Sequence, residues 1–433
     1  MENNEIIYKG QYTAVFSAFY FLQGMSMSIF GVVIPIYLLV SLGTLNMTDI
    51  ANLASIIMIP WAVKFFFGIL GDKFGLKDFG RRRVWIVPPI FISGIIWLFI
   101  PMLLTIEGNL FMVLALVGLF ANLGTAMGDT ATDGLILDIC PKEKLGRTQG
   151  LCWGFRSVGA IAGGPLTAVL INIFNIDIIF ICIGILFMII SSLMIFIKEP
   201  KTPKITIGNN LRKMVLTKKN WKVFSYAFFD TILDGFIMLF VALFILIQLG
   251  LVEPLGASIS VLQDNINLYI PQANINLIIS FGIVIGAIIG GRFADLKSRR
   301  LSVYIGYSIC IGSFLLMLIN VGAIVTIIFS VIIGLGSGWR SASYSAVMGQ
   351  IAKQYPEMDS TFFSLGNSFA NAGTVLGLFI TGAMFSVFEG FSTNYLVIFG
   401  LMFIFMALLQ CTGPLIFSTI KPIEYEYKDR EPK

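Results

Sequence analysis

The sequence predicts an all-α polytopic membrane protein: 12 transmembrane helices in two six-helix bundles, with both termini cytoplasmic. Three observations predict it. Apolar runs of about 20 residues, the length that crosses a bilayer, recur along the whole chain. Basic residues alternate strictly from one connecting loop to the next. A polar, basic stretch from Lys198 to Lys222, with Pro200 and Pro203, interrupts the apolar pattern once, between the sixth and seventh runs.

Composition agrees. Of 433 residues, 57% are hydrophobic and 12% are charged, with a mean hydropathy of +0.89. A soluble domain carries about 25% charge. The net charge of +5 reads as membrane topology and not as a nucleic-acid surface, because the basic residues lie mostly between spans. There is no His, and the five cysteines (Cys140, Cys152, Cys182, Cys310, Cys411) are scattered without a CxxC pair. No metal or cofactor is expected. No H-E-x-x-H, no nucleophile with a base and no Walker-type loop is present, which argues against a membrane enzyme and an ATP-driven pump. The polar start, Met1 to Gln11, is not followed by a small-residue cleavage site, so the first span is expected to be retained.

The predicted spans, in order, are 13–41, 49–70, 84–105, 109–138, 147–175 and 178–197, then 221–249, 273–292, 301–320, 322–350, 361–387 and 394–419. The expected domains are an N-terminal bundle (1–198), a linker (199–220) and a C-terminal bundle with its tail (221–433). Three of the 29 basic residues, Lys64, Arg156 and Arg340, lie deep inside spans. All others fall at the N-terminus, in loops 2–3, 4–5, 6–7, 8–9 and 10–11 with the adjoining span ends, or in the C-terminal tail. The six opposite loops hold only acids: Asp49, Glu107, Asp177, Glu253, Asp264 and Glu389. A missed or invented span would scramble this alternation. The longest outer connection, Leu251 to Gln272, is expected to be either a lid or a variable surface loop. Asn46-x-Thr48 is a weak glycosylation sequon on another outer loop.

The halves echo each other. Loop 2–3 reads Gly68-Ile69-Leu70-Gly71-Asp72-Lys73-Phe74-Gly75 and then Arg81-Arg82-Arg83. Loop 8–9 reads Gly290-Gly291-Arg292-Phe293-Ala294-Asp295-Leu296-Lys297 and then Arg299-Arg300. Span five carries Gly159-x-x-x-Gly163 and span eleven Gly373-x-x-x-Gly377, spacings that let helices approach closely. Paired half-repeats point to a transporter whose site lies between the halves. The G-x-x-x-D-[RK]-x-G…R-R loop and its echo resemble the signature loop of the major facilitator superfamily. The insert Leu76-Lys77-Asp78-Phe79-Gly80 departs from the tighter spacing usual there. Over roughly residues 20–165 the chain also resembles the muropeptide-permease and acetyl-coenzyme A transporter branch. The matching features are Gln23-Gly24, Pro60-x-x-x-Lys64-Phe65, Asp129-x-x-x-Asp133-x-x-x-x-Asp138, Pro141-x-x-x-x-Gly146-Arg147 and Gly154-Phe155-Arg156. Gly163-Gly164-Pro165 partly resembles the antiporter motif of drug exporters in the superfamily.

The candidate site follows from charges placed where lipid should be. Such residues are costly in a bilayer and mark functional sites by default. Counted from the cytoplasmic span ends, Asp129 and Arg156 lie roughly 13 Å deep and Lys64 roughly 12 Å. Asp129 and Asp133, four apart, share a helix face, as do Asp230 and Asp234 on span seven. Lys64, Arg156, Arg340 and Trp339 are therefore candidates for substrate binding. Asp129, Asp133, Asp230 and Asp234 are candidates for ion coupling. The competing reading of the first-half charges is a satisfied ion network that only joins helices. Arg340 follows a glycine-rich segment, Gly334 to Gly338, and either caps a local helix irregularity or clamps an anion beside Trp339. Asp138 lies about 180° round the helix from Asp129. It is expected to pair with the arginines of loop 2–3. Asp72, Arg81, Arg82, Asp138, Asp295 and Arg299 are thus the gating candidates.

The resemblance implies a secondary active transporter working by alternating access. A small polar organic anion driven by proton symport fits the charges, with sodium as the other coupling ion. Muropeptide-like, nucleotide-linked acyl or sugar-acid cargoes are what the branch implies. Two alternatives stay open. One is an exporter exchanging protons for drugs or metabolites. The other is a transporter-like sensor that moves nothing, which would be expected to lose its intramembrane charges. The expected setting is the cell membrane, as a multi-pass monomer contacting lipids, its small-molecule substrate and an ion gradient, and no nucleic acid.

Overall fold

The computed structural model describes residues 8–76, 79–105, 109–199, 214–256, 258–261, 268–319, 322–355 and 359–426. Residues 200–213 of the expected linker lie outside this set, as does the side chain of Asp72. Eleven helices among the described residues are long and apolar enough to cross a membrane. They are α1 (Gly10–Leu42), α2 (Met47–Gly71), α3 (Arg83–Leu104), α4 (Leu110–Ile139), α5 (Gly150–Ile171), α6 (Ile176–Met194), α7 (Lys218–Gln248), α8 (Tyr269–Leu296), α10 (Ala323–Ala352), α11 (Thr361–Glu389) and α12 (Tyr395–Phe417). The remaining expected span is α9 (Arg299–Leu316), 18 residues long. Two arginines in its first turn, with Tyr304, Tyr307 and Ser308 further on, make it shorter and more polar than its neighbours.

The chain divides into two compact units: residues 1–34 with 56–208, and residues 35–55 with 209–433. The outer end of α1 and the start of α2 therefore go with the second unit. Backbone pairing accounts for this. Strands β1 (Thr44–Leu45), β2 (Val252–Glu253) and β3 (Ile259–Val261) form an antiparallel sheet in the order β1-β3-β2, with Thr44 opposite Ser260. The same loop is held at its other edge, where Gly256 N–H donates to the Thr393 carbonyl at 3.0 Å and Tyr395 N–H to that of Pro254 at 2.7 Å. The described part of the Leu251–Gln272 connection is thus a hairpin held at both edges by backbone hydrogen bonds; residues 257 and 262–267 of the expected lid or variable surface loop lie outside the described set. Asn46 is engaged as a helix cap, its side-chain oxygen accepting from Thr48 N–H at 2.7 Å.

Within each unit the helices pair in the same pattern. α1 packs on α5, α3 on α4 and α6; equivalently α7 packs on α11, α9 on α10 and α12. The glycine pairs make these seams. A Cβ on Gly159 or Gly163 would lie 1.9 and 2.2 Å from the carbonyls of Phe21 and Met25 on α1. On Gly373 or Gly377 it would lie 1.9 and 1.8 Å from those of Phe228 and Ile232 on α7. Backbone meets backbone where a side chain would stand, the approach that small residues permit between membrane helices. The second unit adds an aromatic core in which Phe244 meets Phe399 and Phe403 at 5.3 and 5.0 Å. In the first, Trp97 lies between Phe30 and Phe180 at 5.1 and 5.8 Å.

Several helices are irregular near the charged layer. α1 and α5 each contain a π turn, Ile29–Val33 and Ala162–Leu166. α2 breaks at Val63, so that a new helix starts at Lys64. α7 breaks between Asp230, which ends one helix, and Asp234, which begins the next.

Candidate functional site: two ion clusters

In the first unit the site is assembled by four helices. Pro60 supplies no N–H to the ladder of α2, and Val63 then leaves helical geometry at φ −98°, ψ 8°. Lys64 thereby becomes the first residue of a helix, where the helix dipole disfavours a cation. Asp129 of α4 compensates it: Lys64 Nζ lies 3.3 Å from Asp129 Oδ2. The other oxygen, Oδ1, accepts from Gln23 Nε2 of α1 at 2.9 Å. Asp129 is buried with both oxygens engaged. Asp133, one turn further, accepts from the Tyr20 hydroxyl. Among the described residues no Lys or Arg nitrogen comes within 4.0 Å of it.

Arg156 of α5 is differently placed. Its Nη2 donates to Met27 Sδ at 3.2 Å. Its guanidinium lies over Trp153 at 4.8 Å and over Trp61 at 5.9 Å. Cation–π contact of this kind offsets part of the cost of removing a cation from water. No carboxylate among the described residues pairs with it within 4.0 Å. Gly24 sets its position: a Cβ there would stand 2.0 Å from the Arg156 carbonyl, so α5 rests directly on α1 at this level. The cluster thus brings together the four first-half charges expected from the sequence, three of them in contact with residues the sequence reading did not assign. Those residues are Tyr20, Trp61 and Trp153. Trp61 and Trp153 each stand three positions before their cation, and Tyr20 three before Gln23, so i,i+3 spacing on one helix face would have found them.

The second unit arranges its charges as a closed cluster. Arg340 Nη1 of α10 meets Asp230 Oδ2 at 3.0 Å, and its Nη2 meets Asp234 Oδ1. Tyr307 of α9 donates to Asp230 Oδ1 at 2.7 Å. The Arg340 and Asp230 side chains are 1% and 0% exposed. The break in α7 places Asp234 in the first turn of a helix, where its negative charge suits the dipole. α10 is one unbroken helix, so the expected irregularity at Gly334–Gly338 is absent. Those glycines serve packing instead: a Cβ on Gly334 or Gly338 would stand 2.2 and 1.9 Å from carbonyls of Ile279 and Ile283 on α8. Trp339 is held by α8 and α9, lying against Gly290, meeting the Phe293 ring at 5.7 Å in a tilted contact and donating to Ser302.

At the cytoplasmic rim, Asp138 Oδ2 receives Arg81 Nη2 at 2.8 Å and Arg82 Nε at 3.1 Å. Gly134, one turn back, leaves room for the Arg82 guanidinium, which a Cβ would meet at 2.6 Å. In the second half Asp295 and Arg299 approach to only 3.9 Å, and Arg299 Nη1 donates to the Tyr425 carbonyl at 2.6 Å. Two further acids play matching parts that the sequence reading missed. Glu199, just after α6, accepts from the N–H groups of Arg82 and Arg83 at 2.6 and 3.2 Å. Glu426, just after α12, accepts from those of Arg299 and Arg300 at 3.3 and 2.8 Å. A carboxylate at a helix N-terminus satisfies orphan donors and suits the dipole. The signal was available: each is an acid shortly beyond the last span of its half.

Comparison with known proteins fits this architecture. Residues 16–355 match the family model described as Major Facilitator Superfamily. The search of curated proteins finds no match. Among solved structures, a bacterial homolog of the human lysosomal transporter Spinster, inward-facing and occupied, superposes with a TM-score of 0.66 at 14% identity, over 98% of this chain and 99% of that one. The same homolog in its unoccupied conformation gives 0.62 at 13%, over 96% and 95%. The nucleoside transporter NupG gives 0.66 at 13%, over 94% and 99%. At these identities the likeness concerns the fold alone.

Proposed function

The chain belongs to the major facilitator superfamily and is a multi-pass secondary transporter of a small molecule, and we propose that its cargo is a small polar organic anion moved together with a proton. The observation that carries this reading is Arg156, a half-buried cation lined by Trp153 and Trp61 and without an ion-pair partner among the described residues. A carboxylate or phosphate of the cargo is the natural complement of a guanidinium, which presents a planar fork of donors. The two indoles would hold a flat or apolar part of the same molecule.

Charge balance supplies the coupling. Lys64, Arg156, Asp129 and Asp133 together are neutral when all are ionised. An incoming anion at Arg156 adds a net negative charge in a region of weak screening, where unbalanced charge is expensive. A proton on Asp133 restores neutrality. Asp133 suits that role because Asp129 is already held by Lys64 and Gln23. The Arg340 cluster serves as the structural counterpart in the second half, and the Asp138–Arg81–Arg82 group, with Asp72, Asp295 and Arg299, as gating elements. The branch resemblance narrows the cargo to muropeptide-like, nucleotide-linked acyl or sugar-acid compounds, carried by a monomer.

The test is a thermal-shift screen of purified protein against charged metabolites at two pH values. Anionic compounds are expected to raise Tm for the wild type and not for Arg156→Ala. Stabilisation by cations alone would overturn the assignment of charge.

A further inference from the structure

Away from the ion layer, the cytoplasmic end of the first unit holds a cavity of about 570 Å³ between the start of α1 and the helix leading into α5. That helix begins at Lys142, and its N-cap residue, Pro141, provides no side-chain acceptor. Lys144 and Arg147 stand on its first two turns and line the cavity. Neither pairs with a carboxylate within 4.0 Å among the described residues. Two cations at the positive end of a helix dipole repel it and each other. Their combined field is one that an anion would relieve.

The rest of the lining is ordered by depth. Next to the cations lie the hydroxyls of Tyr8, Thr13 and Thr148. Tyr8 Oη is 2.7 Å from Thr13 Oγ1 and 3.4 Å from Thr148 Oγ1. Towards the membrane interior follow Ala14, the buried Ser17 and Ala18 of α1 with Leu151 and Phe155 of α5, a lining that is apolar apart from the one serine. Leu151 and Phe155 are 39% and 45% exposed, large apolar side chains open to whatever fills the trough. From Arg147 to Phe155 the helix rises roughly 12 Å. The order from water inward is therefore cation, hydroxyl, then a mainly apolar trough.

We propose that this cavity binds an anionic glycerophospholipid of the cytoplasmic leaflet. Its phosphate sits at Lys144 and Arg147, its glycerol ester region at the hydroxyls, and one acyl chain along the trough. A soluble anion would satisfy the cations and leave the trough empty. A neutral lipid would fill the trough and leave the cations unbalanced. The site braces α1 against α5, the pair that carries Gln23 and Arg156, and it is independent of the cargo assigned above.

The full chain, purified and exposed to equal amounts of phosphatidylglycerol and phosphatidylcholine, is examined by native mass spectrometry. The wild type is expected to retain phosphatidylglycerol preferentially. Lys144→Gln with Arg147→Gln should lower that preference roughly thirtyfold, two cations each contributing at the membrane surface. The swap Lys144→Arg with Arg147→Lys should keep it. Ala18→Phe, which fills the trough, should weaken retention of the lipid without altering its headgroup preference. A second measurement needs only the wild type: phosphatidylglycerol is expected to raise Tm where phosphatidylcholine and glycerol phosphate do not. Equal protection by glycerol phosphate would make the site one for a soluble anion and overturn the proposal. So would equal retention of both lipids by the wild type, or an unchanged preference in the double glutamine variant.

Discussion

The first-half ion layer and the second-half ion cluster contain similar groups and hold them in different states. In the second half one arginine is enclosed by two aspartates and a tyrosine, with the Arg340 and Asp230 side chains almost wholly buried. In the first half a lysine and an aspartate pair off, a second aspartate takes a hydroxyl, and Arg156 rests against sulfur and indole rings. A cluster whose single cation is enclosed by two carboxylates leaves no positive charge open to an anion and is suited to joining helices. One that leaves a cation and a carboxyl group without ionic partners is suited to taking a ligand and a proton. The difference teaches that intramembrane charge alone does not identify a binding residue; the partner does.

The comparison can be broken most decisively at Arg340. Arg340→Ala leaves Asp230 buried without its counter-charge, a change that costs about 3–5 kcal/mol. A large fall in Tm is expected, relieved in part by adding Asp230→Asn, and a wild-type melting curve would refute the structural role. Arg156→Ala should do the reverse. Losing a charge-assisted contact worth about 1.5–3 kcal/mol lowers apparent cargo affinity roughly 10- to 100-fold, with Tm little changed. Arg156→Lys should recover only part of it, since an ammonium lacks the planar face that stacks on Trp153.

The glycine seams test whether the halves are equivalent where they look equivalent. Gly159→Ala and Gly373→Ala each place a Cβ about as close to a facing carbonyl, so overpacking of about 1–3 kcal/mol is expected in both. Chemical unfolding that separates the two variants by more than this range would show that one half tolerates adjustment and the other does not. Asp133→Asn sharpens the coupling side. A pH difference of one unit provides about 1.4 kcal/mol, or tenfold accumulation. In proteoliposomes the variant should lose that accumulation and retain cargo exchange, whereas Asp129→Asn, which strips Lys64 of its partner, should lose both. A smaller effect than at Arg340 is expected at Asp138→Asn. Its pair with Arg81 and Arg82 is largely shielded, the side chains being 8–16% exposed, but the amide oxygen still accepts from the guanidinium groups. A fall in Tm below that of Arg340→Ala is expected, together with a rise in cysteine accessibility at the cytoplasmic rim.

Much of this was legible in the linear chain. Hydropathy gave the spans, and loop charge gave their alternation, because both depend on composition over long windows and not on neighbours in space. The half-repeat was legible in Gly159/Gly163 and Gly373/Gly377, and each pair does occupy the seam with the first helix of its half. Helix rise placed Lys64, Asp129 and Arg156 at one depth, and helical spacing put Asp138 on another face, where it meets loop 2–3.

What the sequence could not decide was pairing. Depth and face are properties of one helix, fixed by 1.5 Å of rise and 100° of turn per residue. Which cation meets which carboxylate depends on how separate helices rotate and how closely their backbones approach. Arg340 and Arg156 look alike in the chain, each an arginine deep in an apolar span. Only the break in α7, which turns Asp230 and Asp234 towards α10, and the contact at Gly24, which sets α5 against α1, enclose Arg340 between carboxylates and leave Arg156 against indole rings. The β1–β3 pairing is of the same kind: residues more than 200 positions apart join through backbone hydrogen bonds, which leave no mark on side-chain pattern. The sequence by itself determined the spans, the alternation of charge between loops and the position of each charge along its helix. Tertiary structure decided which charges are already satisfied, because satisfaction is a matter of a few ångströms between helices that the chain connects only at a distance.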